Sequence, residues 1–251
     1  MKVLIVYAHH EPASFNAAIL RQKVATLTEA GHDVVVSDLH AMGFNPVASA
    51  DDFTVRRFPD ALQYDREQKY AHAHDGFAPD IQAEIDKVLW CDMLILQFPL
   101  WWWSVPAILK GWIDRVLVNG VAYGKGMRMD AGGLRGRKAM LSLTTGCYPD
   151  MVAEDGLLGG LEVSLWHLHS GTLAYSGFEV LPPLVSWSIH YTDDDARHAY
   201  LQECERRMRD IERTPPLFFH PLADFGPDWR LRAEIEPRAV GQRRTRPASA
   251  G

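Results

Sequence analysis

The chain opens with a strand, a helix and a second strand, and that order restricts its fold more than any other feature. "KVLIVYAHH" (2–10) is a short β-rich run too apolar to alternate, the pattern of a buried strand. "PASFNAAILRQKVATLTEAGH" (12–32) follows, with Ile19, Leu20, Val24 and Leu27 at helical spacing, Ser14 as N-cap and Gly31 as stop. "DVVVSDL" (33–39) is a second buried strand. A strand–helix–strand unit this short calls for a parallel sheet.

The alternation continues along the chain. "PDIQAEIDKVLWCD" (79–92) predicts a helix with Pro79 near its start, and "MLILQFP" (93–99) a third strand. "VPAILKGWIDRVL" (105–117) predicts a helix burying Ile108, Leu109, Trp112, Ile113 and Val116. "KAMLSLTTG" (138–146) is a fourth strand, "GLEVSLWHLHSGTLAYSG" (160–177) reads as a helix, and "FEVLPPLVSWS" (178–188) carries a fifth strand. "DDARHAYLQECERRMRDIER" (194–213) closes the core as an amphipathic helix. Two stretches depart from the pattern: an insertion at 44–78 without clean periodicity, and a Pro-rich extension at 214–251. The division implied is an α/β domain over 1–213 and a tail. Excursions of this length usually serve function or contact a partner, and here both are expected to reach across a dimer interface.

Totals narrow the function. A net charge of -6 disfavours nucleic acid as a partner. The basic residues Arg238, Arg243, Arg244 and Arg246 sit in a tail with little sign of a binding role. The three cysteines, Cys91, Cys147 and Cys204, form no disulfide framework or metal pattern, so a cytoplasmic protein is expected. No signal peptide and no membrane span is evident. His72 and His74 lack acidic or Cys partners at ligand spacing, so no metal site is expected.

In an open doubly wound sheet, ligands bind beyond the carboxyl ends of the strands, where strand order reverses. Three strand ends are unusual here. The first delivers "AHHEPASFN" into a helix start without a GxGxxG, which argues against a Rossmann dinucleotide site. It offers His9, Ser14 and Asn16 beside free helix N–H groups, a place that suits phosphate, although Ser14 could be a simple cap and His9 a surface residue. The third delivers "FPLWWWSVP", three tryptophans bounded by Pro99 and Pro106. A stiff aromatic edge suits a planar heteroaromatic ring; one core Trp with two on an oligomer surface is the other arrangement. The fourth delivers Thr144, Thr145 and Gly146, which could meet ring carbonyls or form a plain turn. The conjunction specifies a flavin site of flavodoxin type.

The blocks "AHHEPASFNAAI", "SDLHAMGFNPV", "QFPLWWWSVPAILKGWIDRV", "LSLTTG", "LWHLHSGTLAYSGFEVL" and "DDARHAYL" carry a resemblance to the NAD(P)H dehydrogenase (quinone) family, the DT-diaphorase type. It implies a flavodoxin-like three-layer sandwich with a five-stranded parallel sheet in the order 2-1-3-4-5. It also implies FAD in preference to FMN, NAD(P)H as co-substrate, and a homodimer with shared sites. By position, His9, Ser14, Phe15, Asn16 and Ala17 would hold the phosphates and ribityl chain. Pro99, Leu100, Trp101, Trp102 and Trp103 would follow the isoalloxazine, with Thr144, Thr145, Gly146 and Cys147 on its polar edge. Arg197 and Leu201 would lie near the adenine, and Gln63 would reach the partner's flavin. Trp102, Trp103 and Tyr175 of one subunit, with Tyr123 and Arg128 of the other, would bound the quinone, and Trp229 would close the slot. The family's Tyr–His pair after the Thr-Thr-Gly turn falls on Val152 and Leu158, with Tyr148 the nearby substitute. Ping-pong hydride transfer to a quinone is the activity implied. Nitro- or azo-aromatic reduction, and a non-enzymatic regulatory subunit, are the alternatives.

Overall fold

Five strands form one parallel sheet: β1 (Lys2–Tyr7), β2 (Asp33–Asp38), β3 (Met93–Pro99), β4 (Lys138–Thr144) and β5 (Glu179–Ser186). Their order is β2-β1-β3-β4-β5, as expected. The architecture comes from a computed structural model, which describes residues 1–242. The basic run Arg243, Arg244 and Arg246 lies outside the described residues.

Successive side chains of a strand point to opposite faces, and the apolar strands cover both. Val3, Ile5, Met93, Ile95 and Met140 pack against α1 (Phe15–Glu29) and α7 (Asp194–Arg209) through Ile19, Leu27, Cys204 and Met208. Leu4, Val6, Leu94, Leu96 and Leu141 pack against α3 (Pro79–Trp90) and α4 (Ala107–Val116) through Ile81, Ile85, Leu109 and Trp112. Three layers result. The Ser14 hydroxyl caps α1 by accepting from the Ala17 N–H at 3.1 Å, and Gly31 beyond its end has φ +82°. Pro182 and Pro183 fit within β5 because it is an edge strand, and its pairing with β4 shifts register between Met140 and Ser142.

Two segments carry detail that periodicity does not show. The insertion at 44–78 contains α2 (Tyr64–Ala73), whose buried face is mostly polar (Glu67 and Gln68 beside Ala71), which hid its helix from periodicity; Phe44, Phe53 and Phe77 join the apolar core, and buried charge fixes the rest. Asp52 and Arg115 of α4 form a buried ion pair at 2.7 Å, Tyr64 donates to the same carboxylate, and Arg115 lies over the Phe44 ring. Residues 160–177 are not one helix. They break into α5 (Leu161–Ser164), α6 (Trp166–Leu168) and a π-helical turn at His169–Ala174. The widened turn bonds Tyr175 N–H to the Ser170 carbonyl at 2.9 Å, five residues back.

Candidate functional site

The carboxyl ends of β1, β3 and β4 open onto one cavity of about 810 Å³, at the crevice between β1 and β3 where strand order reverses. Its first wall is the β1–α1 loop and helix start, with His9, Ser14, Phe15 and Asn16. Its second is Pro99, Leu100 and Trp101 after β3, and its third Thr144, Thr145 and Gly146 after β4. Arg197 of α7 borders the far side. Thus three loops that are remote in sequence meet, because parallel strands deliver all their carboxyl ends to one edge.

Each wall has a local cause. Phe15 and Asn16 occupy the first helical turn, where N–H groups have no acceptor within the helix. The Glu11 N–H donates to His9 Nδ1 at 3.0 Å, so the neutral ring carries its proton on Nε2. Burial, reinforced by the neighbouring imidazoles of His10 and His40, lowers the His9 pKa. The His9 and His10 rings stack at 4.9 Å. Beneath the cavity, Asn16 Nδ2 donates to Thr144 Oγ1 at 3.0 Å, tying the first wall to the third.

The tryptophans divide by role. Trp101 and Ser104 exchange both backbone hydrogen bonds, at 3.1 and 3.0 Å, and enclose Trp102 and Trp103 in a two-residue turn. Both central residues have positive φ, +49° and +59°, as a type I′ turn requires. That turn normally takes Asn-Gly, and bulky L residues are strained in it. Trp101 lines the cavity; the Trp102 ring is 98% exposed and Trp103 is half-buried, and neither borders the cavity. Ser104 Oγ lies 3.2 Å from His167 Nε2 across the rim.

Other expected residues lie elsewhere. Ala17 is buried on a smaller adjoining cavity, and Leu201 packs half-buried in the α1–α7 layer. Gln63 caps the start of α2 and accepts from Arg66 at 2.7 Å, away from the cavity. Tyr175, expected beside Trp102 and Trp103, has its ring 6.3 Å from that of Tyr123 of the same chain. Its carbonyl also accepts from Met129 N–H at 2.9 Å. The Arg128 guanidinium stacks 4.8 Å over the Trp229 ring. Tyr123, Arg128, Tyr175 and Trp229 thus make up a second aromatic group. Cys147 rests beside Met151, and burial raises its pKa, so it holds no ready thiolate. Tyr148 is half exposed and stacks on Tyr191 at 5.9 Å.

Sequence reasoning passed over His10, Arg21, Ile189 and His190, which also border the cavity. Arg21 was legible as the α1 residue two turns past the cap. Ile189 and His190 follow β5, and only the sheet order brings that strand end alongside β4. Among the described residues no group of His, Cys, Asp and Glu is placed to hold a metal, and no helix is long and apolar enough to cross a membrane.

Residues 1–210 match the flavodoxin-like fold family. The chain is 41% identical over 240 residues to NAD(P)H dehydrogenase [quinone] 1 of Rattus norvegicus, covering 94% of this chain and 88% of that protein. It is 42% identical over 221 residues to ribosyldihydronicotinamide dehydrogenase [quinone] of Mus musculus, covering 88% of this chain and 96% of that one. A Klebsiella pneumoniae protein solved as a candidate quinone reductase superposes with a TM-score of 0.90 at 37% identity, over 94% of this chain and 96% of its own.

Proposed function

Because the chain belongs to the NAD(P)H dehydrogenase (quinone) family of flavodoxin-like flavin oxidoreductases, we propose that it is an FAD-dependent reductase that passes a hydride from NAD(P)H to quinones. The observation that carries this reading is the convergence of a helix N-terminus, an aromatic wall and a polar turn on one cavity at the switch point.

The residues present fit a flavin. The first turn of α1, His9 and Arg197 offer donors and positive charge for phosphate. Pro99, Leu100 and Trp101 present a stiff, largely apolar wall for the ring edge, with Thr145 and Gly146 opposite for its polar rim. We favour FAD over FMN because Arg197 of α7 lines the same cavity as Trp101 and would give an adenylate diphosphate a charged partner. Ala17 and Leu201 would support these walls from behind, and Cys147 would hold the turn after Thr145, whose Oγ1 accepts the Cys147 N–H at 3.1 Å.

When bound, FAD would take a hydride from NAD(P)H and deliver two electrons to a quinone, in ping-pong order. The chain's task is then to bind, stack and exclude water. Trp102 is the most exposed large apolar side chain of the rim, and the aromatic group at Tyr123, Arg128, Tyr175 and Trp229 stands apart in the same chain. A homodimer that laid the second group of one subunit over the first of the other would cover both and build a flat slot for quinone and nicotinamide. Gln63 would reach across from the insertion. Arg128 would favour anionic acceptors or the NADPH phosphate. Val152 and Leu158 carry no titratable group, and Tyr148, stacked on Tyr191 beside the turn, offers a phenol to stabilise charge on the reduced cofactor. Three free cysteines accord with a reducing cytoplasm.

Purified protein should be yellow, release FAD on heating, bleach with NADPH and recover colour with a quinone. A colourless protein that neither takes up FAD nor consumes NADPH would refute the proposal, and release of FMN would correct the cofactor.

A further inference from the structure

Lys23 is a charged residue on the apolar stripe of α1, four residues after Ile19, and its side chain is 0% exposed. Its ammonium donates to Gln97 Oε1 at 2.7 Å and to Ser142 Oγ at 2.6 Å, both neutral. Among the described residues no carboxylate pairs with it. The titratable group that faces it is the Cys204 thiol of α7; Arg207 of the same helix turns its guanidinium to the Pro182 carbonyl. The strands beneath present Val3, Ile5, Met93 and Ile95 on this side. A buried cation without a counter-ion is expensive, and two hydrogen bonds to neutral acceptors compensate it only in part.

The hydrogen bonds lead to the large cavity. Gln97 gives its oxygen to Lys23 and its Nε2 to Asn16, at 2.6 Å to the carbonyl and 3.2 Å to Oδ1. Asn16 therefore points Nδ2 at Thr144, whose Oγ1 accepts at 3.0 Å. Every link donates in the same direction, away from the ammonium, and such chains polarise cooperatively. Thr144, which lines the cavity, is left with its hydroxyl proton to give.

We propose that Lys23 is the buried counter-charge of this cavity: its ammonium commits the Gln97–Asn16–Thr144 relay to donate into the cavity, so that protonation of Lys23 and occupation by an anionic, acceptor-rich flavin nucleotide favour one another. Lys23 is a positioning residue, acting through Asn16 and Thr144 without touching the ligand. The inference rests on the flavin reading and adds a residue to it. Desolvation lowers the Lys23 pKa to about 8, so an anionic ligand in the cavity would restore a proton that burial has loosened. By linkage, each unit of pKa recovered on loading makes FAD about tenfold weaker once the pH passes above both values.

The test titrates apoprotein with FAD by fluorescence quenching from pH 7 to 9.5, in wild type, Lys23→Met and Lys23→Gln. Dividing each profile by that of Lys23→Met removes the other groups bordering the cavity, His9, His10, His190, Arg21 and Arg197. Wild-type Kd is expected to rise about tenfold across this range relative to Lys23→Met. Lys23→Met should bind FAD more weakly at pH 7, and Lys23→Gln, which keeps an N–H donor, should lie between them without the pH dependence. At pH 7 the flavin-free Lys23→Met protein should melt no lower than wild type, because an uncompensated charge has gone. A purely structural lysine predicts the opposite: a lower melting temperature and parallel pH profiles, and either result overturns the inference. Wild type that binds no FAD at any pH overturns the flavin reading itself, and this inference with it; wild type that binds FAD with the same profile as Lys23→Met overturns the inference alone.

Discussion

Replacing Asp52 by Asn should unseat the 44–78 insertion. Asp52 is 1% exposed, and its two oxygens meet Arg115 Nη2 at 2.7 Å and Nε at 3.1 Å, a bidentate pair that is strong and geometrically specific. The same carboxylate accepts from Tyr64, and Arg115 also donates to the Asn45 carbonyl, so one charge pair ties Asn45, Asp52 and Tyr64 of the insertion to α4. Removing one partner of a buried pair leaves the other uncompensated, which costs about 3–5 kcal/mol. Asp80 lies 3.6 Å from Arg115 and is exposed, so it offers partial relief and places the expected loss near about 3 kcal/mol. For a chain of this size that is a fall in Tm of roughly 6–12 °C. Urea unfolding followed by circular dichroism gives the number. The double variant Asp52→Leu with Arg115→Met should recover most of the loss, because apolar residues of similar volume replace buried pairs at little cost. A loss below about 1 kcal/mol in Asp52→Asn, the worth of an exposed pair, would refute the burial argument.

Three further outcomes are expected. Trp102→Asn relieves a bulky residue from a left-handed conformation that Asn tolerates, so stability should rise by about 1 kcal/mol while KM for quinones increases; a fall in the thermal midpoint would mean that the ring is packed in the assembled protein. His169 is buried with Nε2 unpartnered, and desolvation lowers its pKa to about 4. Since the unfolded chain takes the proton near pH 6.5 and the folded chain does not, this stability is complete above that pH and drains away between about 6.5 and 4, about 2 kcal/mol by pH 5. His169→Gln should narrow the difference between urea midpoints at pH 7 and pH 5, and identical differences would discount the residue. Burial raises the Cys91 pKa to about 11 and raises that of Cys204 as well. A thiol reagent at pH 8 should therefore modify Cys147 alone, and slowly, until denaturant is added; fast reaction of two or three thiols in the native protein would contradict this.

Strands and most helices were legible because their burial is two-sided or striped, and a period of two or of 3.6 survives in the residue order. β3 is read from "MLILQFP" to its ends, since every residue from Met93 to Pro99 is buried. The helix in the insertion was not legible: Asp52 and Glu67 are charged yet buried, as is Asp52's partner Arg115 on α4, so polarity gave the wrong sign for burial. The segment at 160–177 is helical as read, but its breaks were hidden, since a π-helical turn repeats more slowly than the spacing that announces an α-helix.

The triple tryptophan marks the same boundary. From the order of residues alone follows an aromatic edge after β3, on the ligand side of a parallel sheet. Only the tertiary structure divides it, with Trp101 on the cavity and Trp102 and Trp103 held in a strained turn beside it, because the closure at Ser104 sets the backbone to which each ring is attached. Lys23 sits between Ile19 and Leu27 at helical spacing, but its charge kept it off the stripe that the sequence announces. Its neighbours were not legible either, because Gln97, Ser142, Asn16 and Thr144 come together only when strands far apart in the chain lie side by side. Local order is written in the short-range pattern of side chains; the partners of a buried polar group are chosen by the sheet.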